Sequence, residues 1–179
     1  MTESTLAYSN AETSSSELVY PRAAVSVAVR CTVKNQSGAY YLMVQRGKAP
    51  NKGVWSFPGG KVEIGETAFS AGQRELFEET KFAEQDKLSW YKGTFSTADS
   101  IVEDDDGSTA FHYLIAVCFA ELEVDCLPDV TAADDAADAR WWSLEELKRA
   151  ELKQIPERIS PGLNVHIERA ESLYQKGAL

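Results

Sequence analysis

The segment 59–82 reads GGKVEIGETAFSAGQRELFEETKF, passing from a pair of glycines to a run with three glutamates in five residues, Glu75, Glu78 and Glu79. The residues from about Ala68 to Lys81 carry a helical pattern, and in a helix positions i, i+3 and i+4 are neighbours. Like charges so placed repel by a few tenths of a kcal/mol per pair on an exposed helix, about 0.2–0.5. At about 100° per residue, Leu76 and Phe77 fall within about 80° of Phe69 and are expected to form the core-facing stripe. The three glutamates fall together in an arc of roughly 100° on another side, with Arg74 at its edge. A solvated acidic face is the plain expectation for such a helix. Two neighbours argue for more. Gly59-Gly60 lets a loop come close to the helix or to a ligand, and Gly65 turns the chain to place Glu66 just before it. A hard cation such as Mg²⁺ takes oxygen ligands, and clustered carboxylates with a backbone carbonyl from a glycine loop meet that need.

Upstream of this segment, Ala23–Val33 is rich in valine and partly alternating, which reads as a strand. KNQSG is turn-like, and Ala39–Arg46 is a second strand, so the two form a hairpin. GKAPNKG is a loop, and Val54–Phe57 a short apolar piece closed by Pro58-Gly59-Gly60. Downstream, Leu88–Phe95 is strand-like and is followed by a polar loop, STADSIVEDDDGST. Ala110–Val124 is the most apolar run and is expected to be a long buried strand. An acidic, alanine-rich loop leads to Arg140-Trp141-Trp142. Ser143 with Glu146 is a capping box opening a short helix, and Ser160-Pro161-Gly162 precedes a last amphipathic helix from Leu163 to about Lys176. Strands alternate irregularly with helices, giving an α/β class with a mixed sheet and helices packed on it. Residues 1–18, rich in Ser, Thr and Glu, are expected to be a disordered tail, and 19–179 a single domain.

The chain has 179 residues, 44% apolar and 26% charged, and a net charge of -10 from 28 acidic and 18 basic residues. That length suits one domain with a real core, and that balance argues against nucleic-acid backbones as partners. It leaves open a small phosphorylated ligand, because a bound divalent cation reverses the local field. Cys31, Cys118 and Cys126 are odd in number and lack C-x-x-C spacing, so free thiols are expected rather than a disulfide framework or zinc site. No apolar run is long enough to span a bilayer, and the first residues resemble neither a signal nor a transit peptide. A cytoplasmic protein is the simplest reading.

Gly60, Glu66 and Arg74-Glu75-Leu76-x-Glu78-Glu79-x-x-Phe82 together resemble the Nudix box, G-x5-E-x7-R-E-U-x-E-E-x-G-U, where U is a bulky apolar residue. GVWSFPGGKVEIGE resembles the usual lead-in and ARWWSLEEL the segment after the box, so the resemblance runs from about Arg22 to Ala150. It implies a Nudix-type α/β/α sandwich. It also implies Mg²⁺- or Mn²⁺-dependent hydrolysis of a nucleoside diphosphate linked to another moiety. One position departs: Lys81 stands where the family has glycine. A glycine there serves as a left-handed helix end; lysine would cost about 1 kcal/mol of backbone strain, partly offset by its charge at the negative helix end.

The implied metal ligands are Glu78, Glu79 and the Gly59 carbonyl, joined by Glu75, which otherwise acts as base. Arg74 is expected to hold Glu75 by a bidentate pair or to serve as a surface partner of Glu78, and Glu66 to be a water-linked ligand or a structural acceptor. In many family members the base lies in a loop before the tryptophan segment. Here that loop supplies Asp134, Asp135 and Asp138, of which Asp135 fits best by spacing, with a solvated loop as the alternative. Arg46 and Lys61 are candidates for phosphate contact or plain surface charges. Glu103–Gly107 lacks ligands at the end positions of a calcium loop and is expected to be a solvated turn. His112 is expected to be a hydrogen-bonded packing residue, and Trp55, Phe57, Trp141 and Trp142 core residues more than base-stacking ones. The substrate, ADP-ribose-like or a damaged nucleotide, stays open. Two rivals remain, a non-catalytic Nudix-fold module binding a nucleotide or protein, and an isomerase on the same fold.

Overall fold

The computed structural model describes residues 20–49 and 51–178; the expected tail, 1–18, lies outside them. Eight strands are β1 (Arg22–Val33), β2 (Tyr40–Arg46), β3 (Val54–Ser56), β4 (Gly59–Lys61), β5 (Ser89–Glu103), β6 (Thr109–Val124), β7 (Ala136–Ser143) and β8 (Arg158–Ile159). The three α-helices among the described residues are α1 (Ala68–Thr80), α2 (Leu144–Glu151) and α3 (Leu163–Gln175). The sheet runs β5-β6-β1-β2-β3-β8, with β4 also paired to β1 and β7 to β2. The β1–β6 and β3–β8 pairs are parallel and the others antiparallel, so the sheet is mixed as expected.

Alternation along β1 divides the core. Val25, Val27, Val29 and Cys31 face one side with Leu76 of α1 and Phe82, while Ala28 faces the other with Leu147 and Ala150 of α2 and Leu163, Ile167 and Ala170 of α3. The result is the expected sandwich of helices on both faces. Trp142 is wholly buried and Trp55 and Phe57 nearly so, which makes them packing residues. Both cysteines of the sheet are buried and free, and Cys126 is exposed and free. Burial pushes the Cys31 thiol up to about 12, so it is inert at neutral pH. No described helix is long and apolar enough to cross a membrane.

Three strand expectations need correction. β5 does not stop at Phe95 but runs on to Glu103 through the segment expected to be a loop, paired with β6 from Ser96↔Val117 to Glu103↔Thr109. Only Asp104–Ser108 turns, closed by Asp104 N–H donating to Ser108 O at 2.8 Å. The alanine-rich stretch before Trp141 is likewise a strand, β7, laid against β2 with Leu42↔Trp141 and Val44↔Ala139. β6 is buried only in its second half; Thr109 and Ala110 are exposed. His112 is therefore not a packing residue: it faces Asp99 across the hairpin at 2.8 Å, and both are partly exposed.

The end of α1 takes the form that the odd lysine implied. Lys81 has φ 49° and ψ 25°, a left-handed cap whose N–H donates to Phe77 O at 2.9 Å. Replacing Lys81 by glycine relieves the Cβ contact of that conformation, and the Lys81→Gly protein should be more stable by about 0.5–1 kcal/mol in chemical denaturation. A destabilised variant would show that the lysine side chain, which lies 5.2 Å over the Phe77 ring, outweighs the strain.

Candidate active site

α1 starts at Thr67, whose hydroxyl accepts from Ser70 N–H while Ser70 Oγ accepts from Thr67 N–H. It rests on the sheet through Ala71, Gly72 and Leu76. The inward face differs from the expected one. Phe69 and Phe77 are 39% and 49% exposed, whereas Glu75 and Glu79 are 9% and 6% exposed. Two of the three carboxylates thus lie under the helix rather than on a solvated face. The reason is β4. Its glycines let the strand pass so close to α1 that only carboxylates and bare backbone fit between them.

A Cβ on Gly60 would lie 2.5 Å from the Glu75 carboxyl carbon. A Cβ on Gly59 would lie 2.6 Å from Ser26 Cα and overlap the Val25 carbonyl. Gly59 meets the cluster through its N–H, which donates to Glu79 Oε2 at 2.8 Å. Arg74 is the cationic hub. Its Nε and Nη2 each reach a different oxygen of Glu66 at 2.9 Å, its Nη1 donates to Glu75 at 2.9 Å and Glu78 at 3.0 Å, and Nη2 also reaches Lys61 O. The bidentate partner is therefore Glu66, not Glu75. Glu66 also accepts from Glu63 N–H at 3.0 Å.

These contacts set the charges. Hydrogen bonds from Arg74 and the Glu63 N–H hold Glu66 down at about 2, and its bonds to Glu66, Glu75 and Glu78 raise Arg74 itself. Burial raises Glu75 against the pull of Arg74. Burial drives Glu79 up to about 8, Glu75, Asp135 and Asp134 add to that, and the Gly59 N–H offsets only part. Asp134 and Asp135 are brought here by the loop that follows α1 in space. Thr131 and Ala133 donate N–H bonds to Thr80 O and Glu79 O, at 2.8 and 2.9 Å, and Gly47 N–H holds Asp135 O at 3.0 Å. Asp138 instead accepts from the Ala139 N–H within β7.

Lys61 and Arg46 are exposed at the ends of β4 and β2. Among the described residues no three acidic, histidine or cysteine side chains converge as a metal-holding group, because Glu75 and Glu78 turn to Arg74 and Glu79 to Gly59. The donor set nonetheless fits a hard divalent cation. It is all oxygen, and burial with the neighbouring carboxylates pushes its buried member toward protonation, a cost that a bound cation would offset. Sequence spacing missed the Thr67 cap and the loop 131–135 docking on the helix end. Thr67-x-x-Ser70 could have signalled the first.

Residues 24–163 match the NUDIX domain description. A curated relative, the ADP-ribose pyrophosphatase of Methanocaldococcus jannaschii, is 32% identical over 109 residues, covering 60% of this chain and 57% of that protein. The chain thus spans little more than half of its length. The fold is similar to a bifunctional NMN adenylyltransferase/ADP ribose pyrophosphatase of Francisella tularensis, solved with AMP and a manganese ion (TM-score 0.62, 26% identity, 91% of this chain and 43% of that one). It also resembles the NUDIX domain of Shewanella oneidensis NrtR solved with ADP ribose (TM-score 0.63, 19% identity, 88% and 90%). With the box on α1, the sandwich around it and most of the sequence inside the match, the chain belongs to the Nudix hydrolase family.

Proposed function

We propose that the protein hydrolyses a phosphoanhydride bond in a nucleoside diphosphate linked to another moiety, with ADP-ribose-like compounds as the first substrate class and damaged nucleotides as the second. The observation that carries this is the packing of Glu75 and Glu79 beneath α1 against Gly59 and Gly60, with Arg74 tying Glu66, Glu75 and Glu78 together. The 32% identity to an ADP-ribose pyrophosphatase supports the substrate class.

Glu78, Glu79, Glu75 and the Gly59 carbonyl would hold Mg²⁺ or Mn²⁺. A divalent cation there would neutralise diphosphate charge and lower the pKa of water. Arg74 keeps Glu75 and Glu78 oriented and, pinned by Glu66, stays fixed itself. Glu75 or Asp135 takes the proton of the attacking water; the water oxygen bonds to phosphorus as the bridging P–O bond breaks, and the leaving phosphate takes the electron pair. Arg46 and Lys61 steady the other phosphate oxygens. We read residues 19–179 as one domain, the setting as cytoplasmic and the partner as a small nucleotide.

The test is a hydrolysis screen with Mg²⁺ or Mn²⁺ over ADP-ribose, NADH, dinucleoside polyphosphates and oxidised dNTPs, with Glu78→Gln alongside. ADP-ribose turnover that falls about 100-fold or more in the variant is expected. No turnover of any compound, or equal turnover by the variant, would leave the non-catalytic binding module as the better reading.

A further inference from the structure

Across the sheet from the acid cluster, α3 and β5 border an open cavity of about 280 Å³ lined by Tyr91, Thr94, Phe95, Arg169, Ser172 and Leu173. Thr94 and Phe95 are adjacent in sequence, and in a regular strand they would point to opposite faces. The ladder of β5 with β6 shifts register on both sides of Thr94, between Trp90 and Thr94 and again between Thr94 and Ser96. Such bulges re-aim side chains, and here both residues reach the same cavity.

Arg169 is the cation of this wall. Its Nη1 donates to Ser96 Oγ at 2.6 Å, and the same oxygen lies 2.9 Å from His166 Nδ1. The Ser96 hydroxyl, with two lone pairs and one proton, can serve His166 Nδ1 as donor or acceptor while it accepts from Arg169. Burial and the nearby Arg169 both lower His166 and so favour its neutral form. Ser96 is buried, at 8% exposure, so it anchors Arg169 from below and narrows the freedom of an otherwise mobile side chain. Among the described residues Arg169 has no carboxylate partner. In a chain with ten more acidic than basic residues, a guanidinium held by one hydroxyl rather than by a carboxylate is left with unused donors.

We propose that Arg169, anchored by Ser96, binds the oxyanion of a phosphate or phosphate monoester in the cavity between β5 and α3. The guanidinium supplies the forked donors that match phosphate oxygens. Thr94, Tyr91 and Ser172 bring hydroxyl groups to the wall, and Phe95 and Leu173 give an apolar floor for what the phosphate carries. This site is separate from the proposed hydrolytic one and does not depend on it.

The experiment is an NMR titration of the metal-free protein, in chelator, with inorganic phosphate, ribose 5-phosphate and acetate, each against chloride at equal ionic strength. Saturable shifts of the Thr94, Phe95 and Ser172 amides and the Arg169 Nε–H are expected with both phosphates, and weaker binding with acetate. Arg169→Gln should weaken phosphate by about tenfold or more, while Glu78→Gln should leave it unchanged. If Arg169→Gln does not fold, Arg169→Lys serves in its place: losing the fork while keeping the charge should still weaken binding. Absence of saturable shifts at these groups, undiminished phosphate binding in the Arg169 variant, or acetate binding as tight as phosphate would each overturn the proposal.

Discussion

Metal-free Glu79→Gln protein should lose markedly less stability than the parent protein as pH rises from acid to mild alkali. The sign follows from the carboxyl's position. Burial raises Glu79 from 4.5 to about 8 in the folded state, so between those values the folded protein holds a proton that the unfolded chain has released. Stability then falls as pH rises, by up to about 1.4 kcal/mol per unit, and levels off above about 8. Glu75, raised by burial, acts in the same direction. Glu66, held at about 2, acts in the opposite one and only at low pH, where its contribution is lost as pH falls through that value. Glutamine keeps the shape of the protonated acid and can still accept from Gly59 N–H, so the fold survives. Denaturation curves at several pH values in chelator measure the difference; parallel profiles for the two proteins would contradict it. The same variant should lose about two orders of magnitude or more of hydrolysis, and Mg²⁺ should raise the melting temperature of the parent protein but not of the variant.

Gly59→Ala should cost the fold itself about 3 kcal/mol or more. The new methyl would sit on the Val25 carbonyl and 2.6 Å from Ser26 Cα, both main-chain atoms at the centre of β1, the strand that also carries β6 and β2. Neither can swing aside as a side chain can, so β4 must separate from β1 or leave α1. Gly60→Ala is the informative contrast. There the obstacle is the Glu75 carboxylate, the far end of a flexible side chain. Thermal or chemical denaturation of both proteins checks this, and equal small losses would show that β4 is more yielding than its contacts suggest.

The comparison of these two glycines also shows where sequence was informative. Spacing along the helix paired Arg74 with Glu75 and Glu78, as the structure does, but did not pair it with Glu66, its bidentate partner. It failed on which way the helix faces. Phe69 and Phe77 look like core residues by their chemistry, yet the close approach of β4 turns the acids inward and leaves the aromatics out. That approach is a tertiary fact with no local signature beyond two glycines. β1 and β2 were legible because they are rich in valine and other strand formers, and α3 because it is amphipathic. The far half of β5 was not, because an edge strand with Ser, Thr and Asp on its open side has the composition of a loop. β7 was hidden for a related reason: alanine and aspartate are poor strand formers, and only pairing with the apolar β2 makes them one.

The two N–H bonds from Thr131 and Ala133 to the last carbonyls of α1 carry a consequence for the protein's local breathing. The helix end and the acid-bearing loop share hydrogen bonds that neither can replace alone, so they should open as one cooperative unit. In native-state amide exchange, Thr131 and Ala133 should be protected to the same degree as the last turn of α1, although they lie some fifty residues downstream. The distance along the chain between the box and its proposed proton acceptor is thereby erased, and an opening at one end would expose both.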